Sequence, residues 1–193
     1  MRDPERGSLF SRPFVAILFL LAVVVLAGAA ILAWTGARRD RANLVTDGAR
    51  WIWFTLDIPE RKPIHFYASR RFRLESAPST ARAKLFVDPR GVLTVNARKF
   101  PAVEQKPGSS LSVLDIAPAL VAGENRILIE AESPSGAGGI LFCLELPGGS
   151  NVVSDSSWEV ARTEPARAGE SRAAAVWGRP PMYPWGYPEE PRR

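Results

Sequence analysis

The sequence predicts an all-β protein, an antiparallel β-sandwich (jelly roll) preceded by one N-terminal transmembrane α-helix. Three observations predict it. Residues 14–34 run FVAILFLLAVVVLAGAAILAW without one charged side chain. From Trp51 onward the chain is a series of short aromatic and β-branched runs separated by Pro and Gly breaks. A length of 193 residues holds one domain of common size plus an extension.

The apolar run comes first. At ~1.5 Å rise per residue it covers the ~30 Å of a hydrocarbon core. A soluble helix would show polar residues at helical spacing, because one side faces water, and residues 14–34 show none. Residues 1–13 are a short flank. The competing reading is a cleaved signal peptide, with Ala27-Gly28-Ala29 as its small-residue site. Against it, the apolar run continues to Trp34, a headgroup-interface residue, followed by Arg38, Arg39 and Arg41. We therefore expect a single-pass membrane protein with an uncleaved signal-anchor. Basic residues flank the helix on both sides in near balance, so charge does not orient it. The extracytoplasmic placement of the domain is expected by analogy.

Residues 35–50 are polar, without sustained periodicity, and read as a juxtamembrane linker. The sandwich is expected over residues 51–162. Its first strand lies in Trp51-Ile52-Trp53-Phe54-Thr55-Leu56. His65-Phe66-Tyr67-Ala68 leads into Arg71-Phe72-Arg73-Leu74, where apolar and charged residues alternate. Ala83-Lys84-Leu85-Phe86-Val87 ends at the turn signal Asp88-Pro89-Arg90-Gly91. Val92-Leu93-Thr94-Val95-Asn96 is then expected to close a hairpin with it. Residues 99–110 read as a surface excursion and residues 114–120 as a helical turn broken at Gly123. Arg126-Ile127-Leu128-Ile129-Glu130-Ala131-Glu132 alternates cleanly, residues 133–139 form a loop, and residues 140–146 are an apolar strand. Asn151-Val152-Val153 and Trp158-Glu159-Val160 close the series. Seven or eight strands at this spacing argue for a sandwich.

Residues 163–193 form a tail rich in Pro, Gly and aromatics. From Trp177 to Pro188 it is expected to make no ladder strand, because each Pro removes an N–H. Docking of its aromatics on the sandwich is favoured over a free extended peptide with polyproline character.

Composition excludes several function classes. The net charge is +5, but residues 51–193 carry 18 basic and 16 acidic side chains, with no basic stripe. No nucleic-acid partner is expected. A lone cysteine, Cys143 in an apolar run, reads as a buried small hydrophobe. With His65 as the one histidine, catalytic triads and most metal sites lack parts. No metal and no cofactor is expected.

Several pieces together resemble a known family. Ala49-Arg50-Trp51-Ile52-Trp53, Arg71-Phe72-Arg73-Leu74, Ala83-Lys84-Leu85-Phe86-Val87-Asp88 and Leu93-Thr94-Val95-Asn96 look like the galactose-binding-like β-sandwich that serves α-L-rhamnosidase-like proteins and family 2 glycoside hydrolases as an accessory domain. Leu114-Asp115-Ile116, Gly123-Glu124-Asn125-Arg126-Ile127, Gly139-Ile140-Leu141-Phe142 and Ser154-Asp155-Ser156-Ser157-Trp158 follow in the family's order. Ala97 departs from it, standing where the family usually has Gly. The resemblance implies that catalysis resides in a helical barrel, and residues 163–193 carry no such pattern.

A glycosidase needs two carboxyl groups ~5–10 Å apart. Glu104, Asp115, Asp155 and Glu159 are available without a reason to pair any two. Asp115 and Asp155 read as turn residues. We therefore expect a non-catalytic, membrane-tethered binding module, for carbohydrate or for a protein partner at the cell surface or in the envelope. The alternatives are an architectural subunit contacting an envelope protein and an accessory subunit of a glycoside hydrolase. A sugar site would draw on aromatic faces from Trp51, Trp53, Trp158, Trp177 and Trp185, with Asp155 as a polar anchor. Core packing is the favoured reading for Trp51, Trp53 and Trp158, and Trp177 and Trp185, outside the repeating strands, are the better candidates for exposure.

Overall fold

A computed structural model describes residues 12–57, 61–149, 151–164 and 170–191. The chain divides into two compact units, residues 1–38 and 39–193. In the first, the described residues are helical. Helix α1, Arg12–Thr46, contains the segment Val15–Arg38, long and apolar enough to cross a membrane. Its side chains are exposed all round from Val15 to Trp34, and the Arg38 guanidinium lies 4.0 Å over the Trp34 ring.

The helix does not stop at Trp34. It runs through most of the expected linker, because residues 35–46 contain no proline and the first backbone break is Asp47-Gly48, with φ of 49° and 75°. That left-handed pair ends the helix.

The second unit is a sandwich of two antiparallel sheets. Its strands are β1 Trp51–Trp53, β2 Ile64–Leu74, β3 Arg82–Asp88, β4 Arg90–Val95, β5 Arg98–Glu104, β6 Ser112–Asp115, β7 Gly123–Ser133, β8 Gly139–Glu145, β9 Val152–Val153, β10 Glu159–Ala161, β11 Arg172–Ala173 and β12 Ala175–Gly178. A 3-10 turn occupies Ala117–Ala119. One sheet has the order β12-β1-β8-β3-β6, with β9 also pairing β8. The other has the order β11-β10-β2-β7-β4-β5.

The two sheets differ because their outer faces differ. In the β2 sheet, β7 alternates strictly: Ile127, Ile129 and Ala131 face the core, while Arg126, Leu128 and Glu130 face outward. In the β8 sheet both faces are covered, so β3 and β8 are buried almost throughout, β8 as an apolar run and β3 with Lys84 among its buried residues. Ala83, Leu85, Val87, Ile140, Phe142 and Leu144 join the main core with Trp53, Phe66 and Trp158. Phe86 and Leu141 point the other way, into a second cluster with Ala49, Trp51, Leu111 and Trp185. Such two-sided burial explains near-continuous apolar runs.

Three expectations change. Residues 83–87 and 92–96 do not form a hairpin. β3 pairs with β6 and β8, whereas β4 pairs with β5 and β7, so the chain changes sheets at Pro89. A strand buried on both faces sits inside its sheet and takes a partner on each side. The real hairpin is β4–β5, which turns the expected surface excursion at 99–104 into an edge strand. Its Lys99, Pro101 and Glu104 suit an edge, where an unpaired N–H need not be supplied. The turn's positive φ falls on Asn96, at 52°, which is why Ala97 is accommodated.

The tail supplies the third change. β12 takes in Trp177 and pairs with β1, with Ile52 opposite Val176. No proline lies within β12, and the next one after it is Pro180, so this ladder stays intact.

Candidate functional site

The tail beyond β12 docks on the outer face of the β8 sheet. Trp185 is only 7% exposed and stacks on Trp51, with ring centroids 4.3 Å apart and planes inclined by 22°. Its ring lies over Gly139, where an added Cβ would come within 2.6 Å of it. The Trp185 indole N–H donates to Asp88 Oδ2 at 2.7 Å. Burial raises the Asp88 carboxyl above its ordinary value, and the Trp185 hydrogen bond opposes that rise.

Further along, Lys84, only 4% exposed, joins Glu145 of β8 to Glu190 of the tail at 2.6 Å and donates to the Val45 carbonyl. Arg82 reaches the same two carboxylates. Leu111 N–H donates to Glu189 O. The tail is thus tied down at both ends of its docked stretch.

Between these ties it builds a groove of 390 Å³. The groove is lined on one side by Trp177, Met182, Tyr183, Pro184 and Trp185, and on the other by Asp88, Pro89, Pro134, Ser135 and Gly138. Met182 and Gly186 bond across the bend that carries Tyr183. That side chain is 92% exposed. An aromatic held out on a proline-braced bend, beside a carboxylate and a serine, combines an apolar face with a few polar anchors.

The structure distributes the expected site residues differently from the sequence expectation. Trp51, Trp53 and Trp158 have no exposed surface. Trp53 is edge-on to Phe66 and donates to Gly136 O at 2.9 Å, while Trp158 lies against Phe142 and donates to Val153 O at 2.9 Å. These three rings offer no face to a ligand; packing claims them. Trp185 is also buried, docked in the flat slot that Trp51 and Gly139 leave for it, so this candidate for exposure has no free face either. Trp177 is half-buried on β12, and its indole N–H is enclosed without an acceptor among the described residues. Trp177 and Trp185 do meet in one groove. Asp155 does not join them: it accepts from Ser157 N at 2.8 Å and from the Ser157 hydroxyl, a turn role.

Two groove residues escape the sequence reading. Asp88 looks like a turn residue, and Tyr183 is one aromatic among several. The available signal is Tyr183-Pro184 next to Pro180-Pro181, a spacing that holds a bend rigid and its tip in solvent.

The other carboxylates have evident partners. Asp115 accepts from Ala117 N, Glu104 pairs with Arg90 at 3.2 Å, and Glu159 accepts from Ser171 Oγ. Cys143 is buried, and burial pushes its thiol up to about 12. Among the described residues no cluster of three or more His, Cys, Asp or Glu could hold a metal ion.

No protein-family model and no curated protein matches the sequence. Solved structures do resemble it. An α-L-rhamnosidase from Streptomyces avermitilis, complexed with L-rhamnose, superposes with a TM-score of 0.62 at 21% identity, covering 74% of this chain and 16% of that one. A lectin from Pleurotus ostreatus gives a TM-score of 0.62 at 21% identity, covering 75% of this chain and 46% of the lectin. The same lectin in complex with GalNAc gives 0.60 at 17% identity, covering 76% of this chain and 48% of the lectin. The chain therefore spans about a sixth of the rhamnosidase and under half of the lectin. The fold that these structures share with the chain is an antiparallel β-sandwich.

Proposed function

We propose that the sandwich is a non-catalytic carbohydrate-binding module, held at a membrane by α1 and facing the extracytoplasmic side, with the tail groove as its sugar site. The observation that carries this reading is Tyr183, exposed to 92% on the wall of a 390 Å³ groove that also offers Asp88 and Ser135. An exposed ring lies against the C–H face of a pyranose while the polar groups take its hydroxyls. The tail leaves this groove open, which favours ligand binding over a purely architectural role. A lectin solved with GalNAc shares the fold, which supports the reading by analogy. A shallow groove buries little of its ligand, so affinity is weak.

The test is glycan-array binding by the full chain in detergent micelles, followed by titration of the best ligand. Tyr183→Ala should lower affinity by about tenfold, near 1.4 kcal/mol, and leave the circular dichroism unchanged. Wild-type protein that binds no glycan sinks the sugar reading. Turnover of an aryl rhamnoside or galactoside, abolished by one carboxylate substitution, sinks the non-catalytic one.

A further inference from the structure

The outward face of the other sheet carries a second cavity, of 420 Å³, at the junction of β2, β7 and β10. We propose that it binds an acidic saccharide, of the uronic-acid class, by its carboxylate. This goes beyond the reading above and does not depend on the tail groove.

The argument is a count of hydrogen-bonding capacity already in use. Arg126 and Glu164 pair through a two-bond fork, at 2.5 and 2.7 Å, which leaves only the buried Arg126 Nε without an acceptor among the described residues. That fork raises the Arg126 pKa and lowers that of Glu164. Glu159 accepts from Ser171 through one oxygen, at 2.9 Å, and keeps the other. Arg70 donates one N–H to Ser157 O at 2.9 Å.

Arg71 is committed to nothing at bonding distance. The nearest carboxylate, Glu124, lies 3.8 Å away, with both side chains about 70% exposed. The hydroxyls of Tyr67 and Ser69 also line the cavity. What remains for a ligand is therefore mostly donors: the Arg71 fork, the rest of Arg70 and two hydroxyls, against a single Glu159 oxygen.

Such a set asks for an acceptor-rich ligand with one planar anion. A guanidinium meets a carboxylate with two parallel N–H bonds, whereas a point charge would not specify that shape. Tyr67 and Ser69 are then placed for ring hydroxyls, and Glu159 for a ring O–H. The groups stand on paired strands, with Tyr67 opposite Glu130 and Arg71 opposite Arg126, so their spacing is held by the sheet. The volume lies within the usual ~300–1,000 Å³ of ligand sites.

The test uses the full chain in detergent micelles, titrated calorimetrically with digalacturonic acid and with its neutral galactose counterpart. Wild-type protein should bind the uronate about tenfold more tightly than the neutral sugar. Arg71→Gln should bring the two to parity without shifting the unfolding midpoint, because Arg71 is exposed. Arg71→Lys should restore only part of the difference. The proposal is overturned by parity in the wild type, by a preference that survives Arg70→Gln with Arg71→Gln, by inorganic sulfate displacing the uronate equally well, or by no binding of the uronate. Loss of neutral-sugar binding alone would count against the tail groove and not against this cavity.

Discussion

Asp88 joins two layers of the molecule through one hydrogen bond, and it does so while half-buried. Burial lifts its carboxyl above the ordinary aspartate value, and the Trp185 N–H only partly offsets that. A raised folded-state pKa means a stabilising contribution present below the unfolded value, ~3.9, and lost as pH rises through the folded one. At neutral pH the charge therefore opposes folding. Asp88→Asn should be as stable as wild type or more so at pH 7 in urea melts, and the advantage should vanish by about pH 3. Asp88→Ala should cost about 1–3 kcal/mol, because Trp185 keeps a buried donor without an acceptor. Trp53→Ala should cost about 3–5 kcal/mol, since a fully buried ring and its bond to Gly136 are both lost.

At the scale of elements, the tail is held by ionised groups. The Lys84 ammonium beside Glu190 holds that carboxyl below its ordinary range, with Arg82 adding to the effect and burial opposing it. A depressed carboxylate stabilises above the unfolded value, ~4.3, and its contribution is lost as pH falls through the folded one. Tryptophan fluorescence should shift to the red as acidification below about pH 4 loosens the tail and wets Trp185. Glu190→Gln should show that loosening already at neutral pH. A wild-type spectrum unchanged down to pH 2 would contradict the tie.

The elements also show where sequence reasoning succeeds. β7 was legible because one face meets core and the other water, so its residues alternate. β3 and β8 were legible as strands, but their partners were not: an apolar run records two-sided burial without saying which strands cover it. β5 was hidden because Phe100-Pro101 resembles a loop, and only its edge position makes that proline harmless. The burial of Trp185 is hidden from the sequence for a related reason. Nothing local in Trp185 or its neighbours reports that Gly139, some 46 residues earlier, leaves room for its ring.

The whole molecule combines a helix suited to lipid with a sheet face that needs its own C-terminal cover. The full-length protein should stay with membranes after carbonate washing; an intact mature protein beginning at Ala30 in the medium would overturn the anchor. Removing residues 179–193 should leave mostly β circular dichroism but uncover Trp51 and its apolar neighbours, so the truncated protein should self-associate in light scattering.

The pairing of β1 with β12 sets a timetable. Trp51 lies opposite Gly178, so the first strand made must wait for almost the last. At ~5–20 residues per second, that wait during synthesis lasts roughly 6–25 s. Loop closure between such distant partners is also slow once both exist. Throughout that interval β1 can meet β8 through Ile52 and Ile140, but its other edge, with Trp51 and Trp53, stays open until β12 is made.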